Sequence, residues 1–308
     1  MDISAALPTF LVTLREGFEA ALVVGIVLAC LKKAQATSLY RWVYLGIGGG
    51  ITASIVVGLF LQEVLQKLVT ANGLYAPVVK ESFEGILGLV AIAMLSWMLI
   101  WMTQQAKSVK SEVEGSVGKA LAQGGAGSGI FLLVFIAVLR EGFETVIFIV
   151  AKFQQEWTSS VVGSAAGLAG AVVLGILLFQ LGVKINVRLF FQVMGVFLLL
   201  IVGGLVVGAL KHFDAAAGLL SELNARYSLC FGSGSSCLLG PQVWNGADVL
   251  PDKQLPGIVL KALFGYRQTI YLGQAIAYGL FLAFVGGAYF QSLSERTTGQ
   301  KTPSAGTS

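Results

Sequence analysis

Charge is what this 308-residue chain has least of: Asp, Glu, Lys and Arg make up 12% of it, against 56% hydrophobic residues. A soluble domain carries about 25% charged residues, so a soluble globular protein is excluded and a bilayer is the fitting solvent. Histidine is almost missing, with His212 alone, and no two of the three cysteines share an apolar run. That shortage speaks against haem, zinc and soft-metal centres. It also counts against a membrane di-iron oxidase, whose Glu-x-x-His pairs need histidines beside the glutamates. The net charge of +4 gives no footprint for nucleic acid, and its Lys and Arg read instead as loop charges that set orientation. The first residues, Met1-Asp2-Ile3-Ser4, lack the basic stretch of a signal peptide, so the first apolar segment is expected to remain as a membrane helix.

What the chain has in abundance is long apolar runs. Seven of them, over about 5–31, 42–66, 83–105, 129–152, 159–182, 188–210 and 268–291, are each long enough to span a bilayer as a helix. They predict an all-α polytopic membrane protein with seven transmembrane helices. Six identical residues, Leu14 to Glu19 and Leu139 to Glu144, recur 125 positions apart, and each copy opens a block of three spans. An odd number of spans per block inserts the second copy upside down, which predicts an inverted-topology repeat meeting near the midplane. The resulting division is 1–106 for the first three-helix repeat, 107–128 for a cytoplasmic linker and 129–210 for the second, inverted repeat. An extracytoplasmic loop over 211–267, a seventh helix over 268–291 and a disordered cytoplasmic tail over 292–308 complete it.

Orientation follows from the short loops. Lys32, Lys33, Arg41, Lys107, Lys110, Lys119, Lys184, Arg188, Arg296 and Lys301 fall on one side, and Lys67, Lys80 and Lys152 on the other. The positive-inside bias predicts an N-terminus outside and a C-terminus in the cytoplasm of a plasma (inner) membrane. Cys230 and Cys237 then lie in an outer loop, where a disulfide is chemically allowed.

The repeated pentapeptides, Arg15-Glu16-Gly17-Phe18-Glu19 and Arg140-Glu141-Gly142-Phe143-Glu144, sit in the middle of their apolar runs. A charge at that depth costs roughly 2.5–3.5 kcal/mol by insertion scales, so these six groups need internal partners or a function. The i,i+3 glutamates share one helix face, and each arginine reaches the second glutamate at i,i+4. Four carboxylates can thus converge on one cavity, with Arg15 and Arg140 balancing charge. Glu84, early in the third run, is a fifth candidate, with Glu81 one turn nearer the outer surface. An oxygen-only cluster favours a hard cation. Five glutamates against two arginines leave a formal −3, which a trivalent ion would balance. His212 reads as an interfacial residue, and Trp97 and Trp101 as part of an aromatic belt.

The doubled Arg-Glu-Gly-Phe-Glu on seven apolar runs resembles the high-affinity iron permeases, the oxidase-dependent iron transporters of fungi and bacteria grouped with lead-uptake proteins. The resemblance covers residues 5–291. It implies a permease, not an enzyme, that imports iron as Fe3+ and holds no cofactor, the ion being its substrate. By the same resemblance Glu16, Glu19, Glu141 and Glu144 are metal ligands, joined by Glu84 and Glu81 from the third helix. Fungal members carry acidic outer motifs that accept iron from a ferroxidase. Here only Asp214, Glu222, Asp248 and Asp252 are scattered over that region. The compact length is similar to the bacterial branch, where an extracytoplasmic ferroxidase or iron-delivery protein serves as partner. A homo-oligomer is left open. The competing readings are a Mn2+/Ca2+ cation exchanger using the same carboxylates and, further off, the di-iron oxidase.

Overall fold

Long apolar segments in a bilayer must satisfy their own backbone hydrogen bonds, which helices do internally. A computed structural model of the protein describes residues 3–298, apart from 72, 106–108, 123–124, 153–156, 185, 224–229, 231–235, 247–248 and 252–253. The described chain is built of helices: α1 (Ile3–Lys33), α2 (Tyr40–Ala71), α3 (Ala76–Gln105), α4 (Val109–Ala122), α5 (Ala126–Lys152), α6 (Trp157–Phe179), α7 (Val187–Leu223), α8 (Gly257–Phe264), α9 (Leu272–Phe281) and α10 (Gly287–Thr298). A five-residue π-helical stretch, Leu282–Gly286, joins the last two into one rod. A small antiparallel pair, β1 (Gln242–Asn245) and β2 (Thr269–Tyr271), is the one sheet among the described residues, with Trp244 opposite Ile270.

Five segments are long and apolar enough to cross a membrane: Thr37–Val64, Gly73–Trp101, Thr158–Phe179, Val187–Leu223 and Leu272–Ser294. Helices α1 and α5 stand outside that set. Each carries three charged residues at mid-helix, yet at 31 and 27 residues they extend about 46 and 40 Å, more than the hydrocarbon thickness. Large apolar side chains such as Phe60, Ile136 and Val173 face outward, as lipid-facing residues do.

Three helix pairs organise the bundle: α1 with α6, α2 with α5, and α3 with α7, while α1 also crosses α5. Small residues every fourth position make the first two pairs close. On α2, Gly46, Gly50, Ser54 and Gly58 meet Val134, Val138, Gly142 and Val146 of α5. On α6, Gly163, Gly167, Ala171 and Gly175 meet Ala6, Phe10, Gly17 and Ala21 of α1. Such stripes let backbones approach where lipid supplies no hydrophobic drive. Residue numbers rise together along both seams, so these pairs run parallel. In α3 and α7, Gly85 meets Phe213 and Gly88 meets Ala209, so that pair runs antiparallel. Tyr289 of α10 docks the last rod by donating its hydroxyl to the Gln192 carbonyl of α7, 3.0 Å away.

Several boundaries depart from the sequence reading. Residues 107–128 are more than a linker, because Val109–Ala122 is helical. Its Val113 and Val117, one turn apart, are buried against Val27 and Leu31 of α1 and Ile130 and Val134 of α5. The segment is too short and polar to signal a span, but its apolar residues keep helical spacing. Nor is 211–267 one loop. Helix α7 continues to Leu223, since Lys211, His212 and Asp214 end the apolar run without ending the helix, and Ala215-Ala216-Ala217 are strong helix formers. The last rod starts at Leu272, after a strand of Thr269–Tyr271, and helix persists through Thr298, into what the sequence assigned to a disordered tail. The rest of that tail, 299–308, lies outside the described residues, as do Asp248 and Asp252.

Candidate metal centre

The pentapeptides meet where α1 crosses α5. In α1, Arg15 is buried with a side chain 4% exposed; its Nη1 lies 2.6 Å from Glu16 Oε1 and its Nη2 3.1 Å from Glu19 Oε1. The same Nη1 also reaches Met98 Sδ of α3 at 3.2 Å. Glu16 is sealed from solvent, at 1% exposure. In α5, Arg140 is 49% exposed and holds its partners less tightly, with Nε 3.4 Å from Glu144 Oε1 and 3.8 Å from Glu141 Oε1. Its guanidinium carbon stands 5.1 Å from the ring centre of Trp101, within cation–π range. The aromatic belt assigned to Trp101 from sequence therefore has a local partner.

One carboxylate oxygen from each of Glu16, Glu141 and Glu144 lies within 4.8 Å of the others. Glu19 stays outside that trio, against Arg15. Three carboxylate oxygens of this trio, Glu16 Oε2, Glu141 Oε2 and Glu144 Oε2, are buried and have no hydrogen-bond donor among the described residues, while Glu19 Oε1 faces the Arg15 guanidinium at 3.1 Å. Leaving a charged acceptor buried and unsatisfied costs at least about 1–3 kcal/mol. A cation held between them removes that cost. The donor set, oxygen only and carboxylate-rich, fits a hard or intermediate metal ion.

The motif glycines explain how the helices come this close. A methyl group at Gly17 would approach Ala171 Cβ to 2.8 Å, and one at Gly142 would meet Ser54, whose Cβ would be 2.7 Å away. Each pentapeptide thus presses its glycine onto a small residue of a helix from the other half of the chain. A cavity of about 570 Å³ opens beside the second copy, lined by Met94, Trp97, Met98 and Trp101 of α3 and by Arg140 and Glu144 of α5.

Glu84 and Glu81 do not join this centre. They stand at the other end of α3 with His212 of α7, whose Nδ1 lies 2.8 Å from Glu81 Oε2 and 3.3 Å from Glu84 Oε2. Sequence reasoning placed His212 at an interface and missed this grouping. The partners are about 130 positions apart, and nothing local signals the register of α3 on α7. Cys230 and Cys237 are joined by a disulfide. Asp214 of α7 ties down that region: its Oδ1 accepts from Ser236 Oγ at 2.9 Å and from the Leu238 amide at 2.6 Å.

The chain is similar to known proteins over nearly its full length. It is 52% identical over 296 residues to an uncharacterized protein of Synechocystis sp., covering 96% of each chain. It is 32% identical over 275 residues to the ferrous iron permease EfeU of Yersinia pestis, covering 89% of each. The ferrous iron permease EfeU of Escherichia coli O6:K15:H31 is likewise 32% identical over 280 residues, which is 89% of this chain and 91% of that one. No solved structure matches. The sequence profile of the iron permease FTR1 family matches residues 6–290, and the chain belongs to that family.

Proposed function

We propose that the protein imports iron across the plasma (inner) membrane as a seven-span permease, through a midplane cage of Glu16, Glu19, Glu141 and Glu144 balanced by Arg15 and Arg140. The observation that carries this reading is the set of three buried, donor-less carboxylate oxygens, from Glu16, Glu141 and Glu144, drawn from two copies of one motif. The pairing of helices supports an inverted repeat: exchanging α1 with α5, α2 with α6 and α3 with α7 leaves the pattern of pairs unchanged. It also exchanges the Gly17–Ala171 contact with the Gly142–Ser54 contact. Parallel α1/α6 and α2/α5 with antiparallel α3/α7 is the arrangement that strict alternation of spans requires, α1 and α5 counted among them.

The cargo is better described as Fe2+ than as Fe3+. The ferric expectation counted Glu84 into the cage. Without it, four glutamates against two arginines leave a formal −2, the charge of a divalent ion. The relatives from Yersinia pestis and Escherichia coli, moreover, are ferrous iron permeases by name.

Transport then follows from the geometry. Iron supplies the counter-charge that the two arginines leave unmet: carboxylate oxygens that lack donors accept the ion, and Arg140, the less tightly held of the two, moves aside against Trp101 while still balancing the cage. The cavity beside Glu144 and Arg140 lies at the Trp101 end of α3, which the positive-inside pattern assigns to the cytoplasm. It is the release path. Rocking of one half on the other along the glycine seams alternates access.

The test is radioactive iron uptake in cells expressing Glu16→Ala or Glu141→Ala at wild-type membrane abundance. Uptake is expected to fall at least tenfold in each. Wild-type uptake in either variant would sink the cage. An excess of Ca2+ should leave iron uptake intact; a preference for Mn2+ or Ca2+ over iron in competition would favour the exchanger.

A further inference from the structure

Two acidic residues of α3 take no part in the cage. Glu81 and Glu84 are three positions apart and share one helix face. Gly85 and Gly88, just beyond, bring that end of α3 close to Phe213 and Ala209 of α7. The close approach delivers the chain's single histidine: one donor atom each from Glu81, Glu84 and His212 lies within 4.8 Å of the others.

This group is separate from the cage. Met98, which touches Arg15, is fourteen residues further along α3, and Met94, which lines the cavity with Glu144, is ten. At 1.5 Å per residue those are about 21 and 15 Å along the helix axis.

An inter-helix clamp would be the plain explanation, and it leaves too much unsatisfied. A proton on Nδ1 can serve one oxygen, and Glu81 Oε2, at 2.8 Å, is the nearer of the two. Glu84 is only 5% exposed, and its Oε1 is buried with no hydrogen-bond partner among the described residues. The nearest cation, Lys80 Nζ, is 3.9 Å from that oxygen, beyond hydrogen-bonding range. Glu81 and His212 are partly exposed, so the group can be reached from outside the bundle. The Asp214 hydrogen bonds tie the disulfide-closed segment beside it.

We propose that Glu81, Glu84 and His212 form a second cation site, at the shared end of α3 and α7, that binds divalent first-row transition-metal ions in preference to Ca2+ and Mg2+. Two carboxylates with one neutral imidazole make a mixed donor set, and imidazole selects ions such as Fe2+, Co2+ and Zn2+ over the hard alkaline earths. The all-oxygen cage has no such filter. A nitrogen-containing site ahead of it adds the discrimination that the cage lacks.

Because His212 is the only histidine, a spectroscopic imidazole signature reports this site alone. The experiment uses Cu2+ at equimolar ratio on the purified full-length protein without a histidine tag, read by electron spin-echo modulation from the remote imidazole nitrogen. The modulation is expected in the wild type and in Glu141→Gln, and expected to vanish in His212→Asn. Glu84→Gln and Glu81→Gln should retain it with at least tenfold weaker Cu2+ affinity, which keeps the test open if His212→Asn does not fold. Co2+ bound in place of Cu2+, followed by its visible d–d absorption, should be lost in His212→Asn and should survive a hundredfold excess of Ca2+ or Mg2+. No nitrogen modulation in the folded wild type would overturn the proposal. So would its loss in Glu141→Gln, which would mean one shared site, or loss of the bound Co2+ to a hundredfold excess of Ca2+. Failure of the cage in uptake assays leaves this signal untouched, so the two readings fail separately.

Discussion

The two pentapeptides are identical in sequence, yet their arginines live in different surroundings. Arg15 is enclosed, bonded to Glu16 at 2.6 Å and backed by Met98. Arg140 is half exposed, more than 3 Å from either glutamate, and leans over Trp101 at the rim of a cavity. Local sequence does not make this difference. Helix α3 does, by offering Met98 to one copy and Trp101 to the other, three residues apart on its surface. The first copy is built as a locked charge pair and the second as a movable one. An exchange-symmetric framework of α1, α2, α5 and α6 thus carries an asymmetric site, as a pathway with one closed and one open side needs.

The largest expected effect tests the lock. Arg15→Met removes the one close counter-charge that a sealed Glu16 has among the described residues, and stranding a buried charge costs about 3–5 kcal/mol. Arg140→Met acts on a half-exposed, loosely paired group and should cost about 1 kcal/mol or less. Thermal unfolding of the detergent-purified variants measures both. We expect Arg15→Met to lose most of its folded protein, and Arg140→Met to fold normally while transporting poorly. Equal destabilisation would erase the distinction between the copies.

The next effect tests what the copies have in common. Alanine at Gly17 or Gly142 forces a methyl onto Ala171 or Ser54, and overpacking of this kind costs about 1–3 kcal/mol. The two penalties should be similar. Pairing Gly17→Ala with Ala171→Gly, or Gly142→Ala with Ser54→Gly, should restore stability in each seam. Rescue in one seam alone would mean that the framework is asymmetric too.

These contrasts also mark what could be read in the sequence. Long apolar runs and a six-residue repeat are local signals, so the helices and the two motifs were legible. Element ends were less so. At α4 and the end of α7, hydropathy fell while helix-forming spacing and composition continued. What sequence could not carry was register between distant helices. His212 beside Glu84, Met98 beside Arg15 and Trp101 beside Arg140 all depend on how α3 lies across the bundle. Glu84 was counted into the cage for the same reason: its residue type fitted and its place early in the third run was legible, but how far that end of α3 lies from the pentapeptides was not.

A smaller effect concerns the open side. Trp101→Leu keeps an apolar body but removes the ring face under Arg140, a contact worth roughly 0.5–2 kcal/mol. Stability should change little. The rate of iron uptake should fall a few-fold at unchanged apparent affinity, because the ring supports the displaced arginine and not the bound ion. A raised KM with unchanged maximal rate would assign Trp101 to binding.

The smallest effect addresses the wall between the copies. Met98 is nearly buried, touches Arg15 through sulfur and lines the cavity with its side chain. Met98→Leu conserves volume and apolarity, and such swaps usually cost below about 1.5 kcal/mol. If the lock on Arg15 resides in its two carboxylates, as the 2.6 and 3.1 Å contacts imply, then losing the sulfur should leave folding and uptake within twofold of wild type. Met98→Ala is the informative companion, since it opens the wall without touching any charge. Iron uptake that persists in the leucine variant and fails in the alanine variant would mean that Arg15 needs enclosure, not sulfur. Failure in both would move Met98 into the charge-locking machinery and make the first copy a three-partner lock.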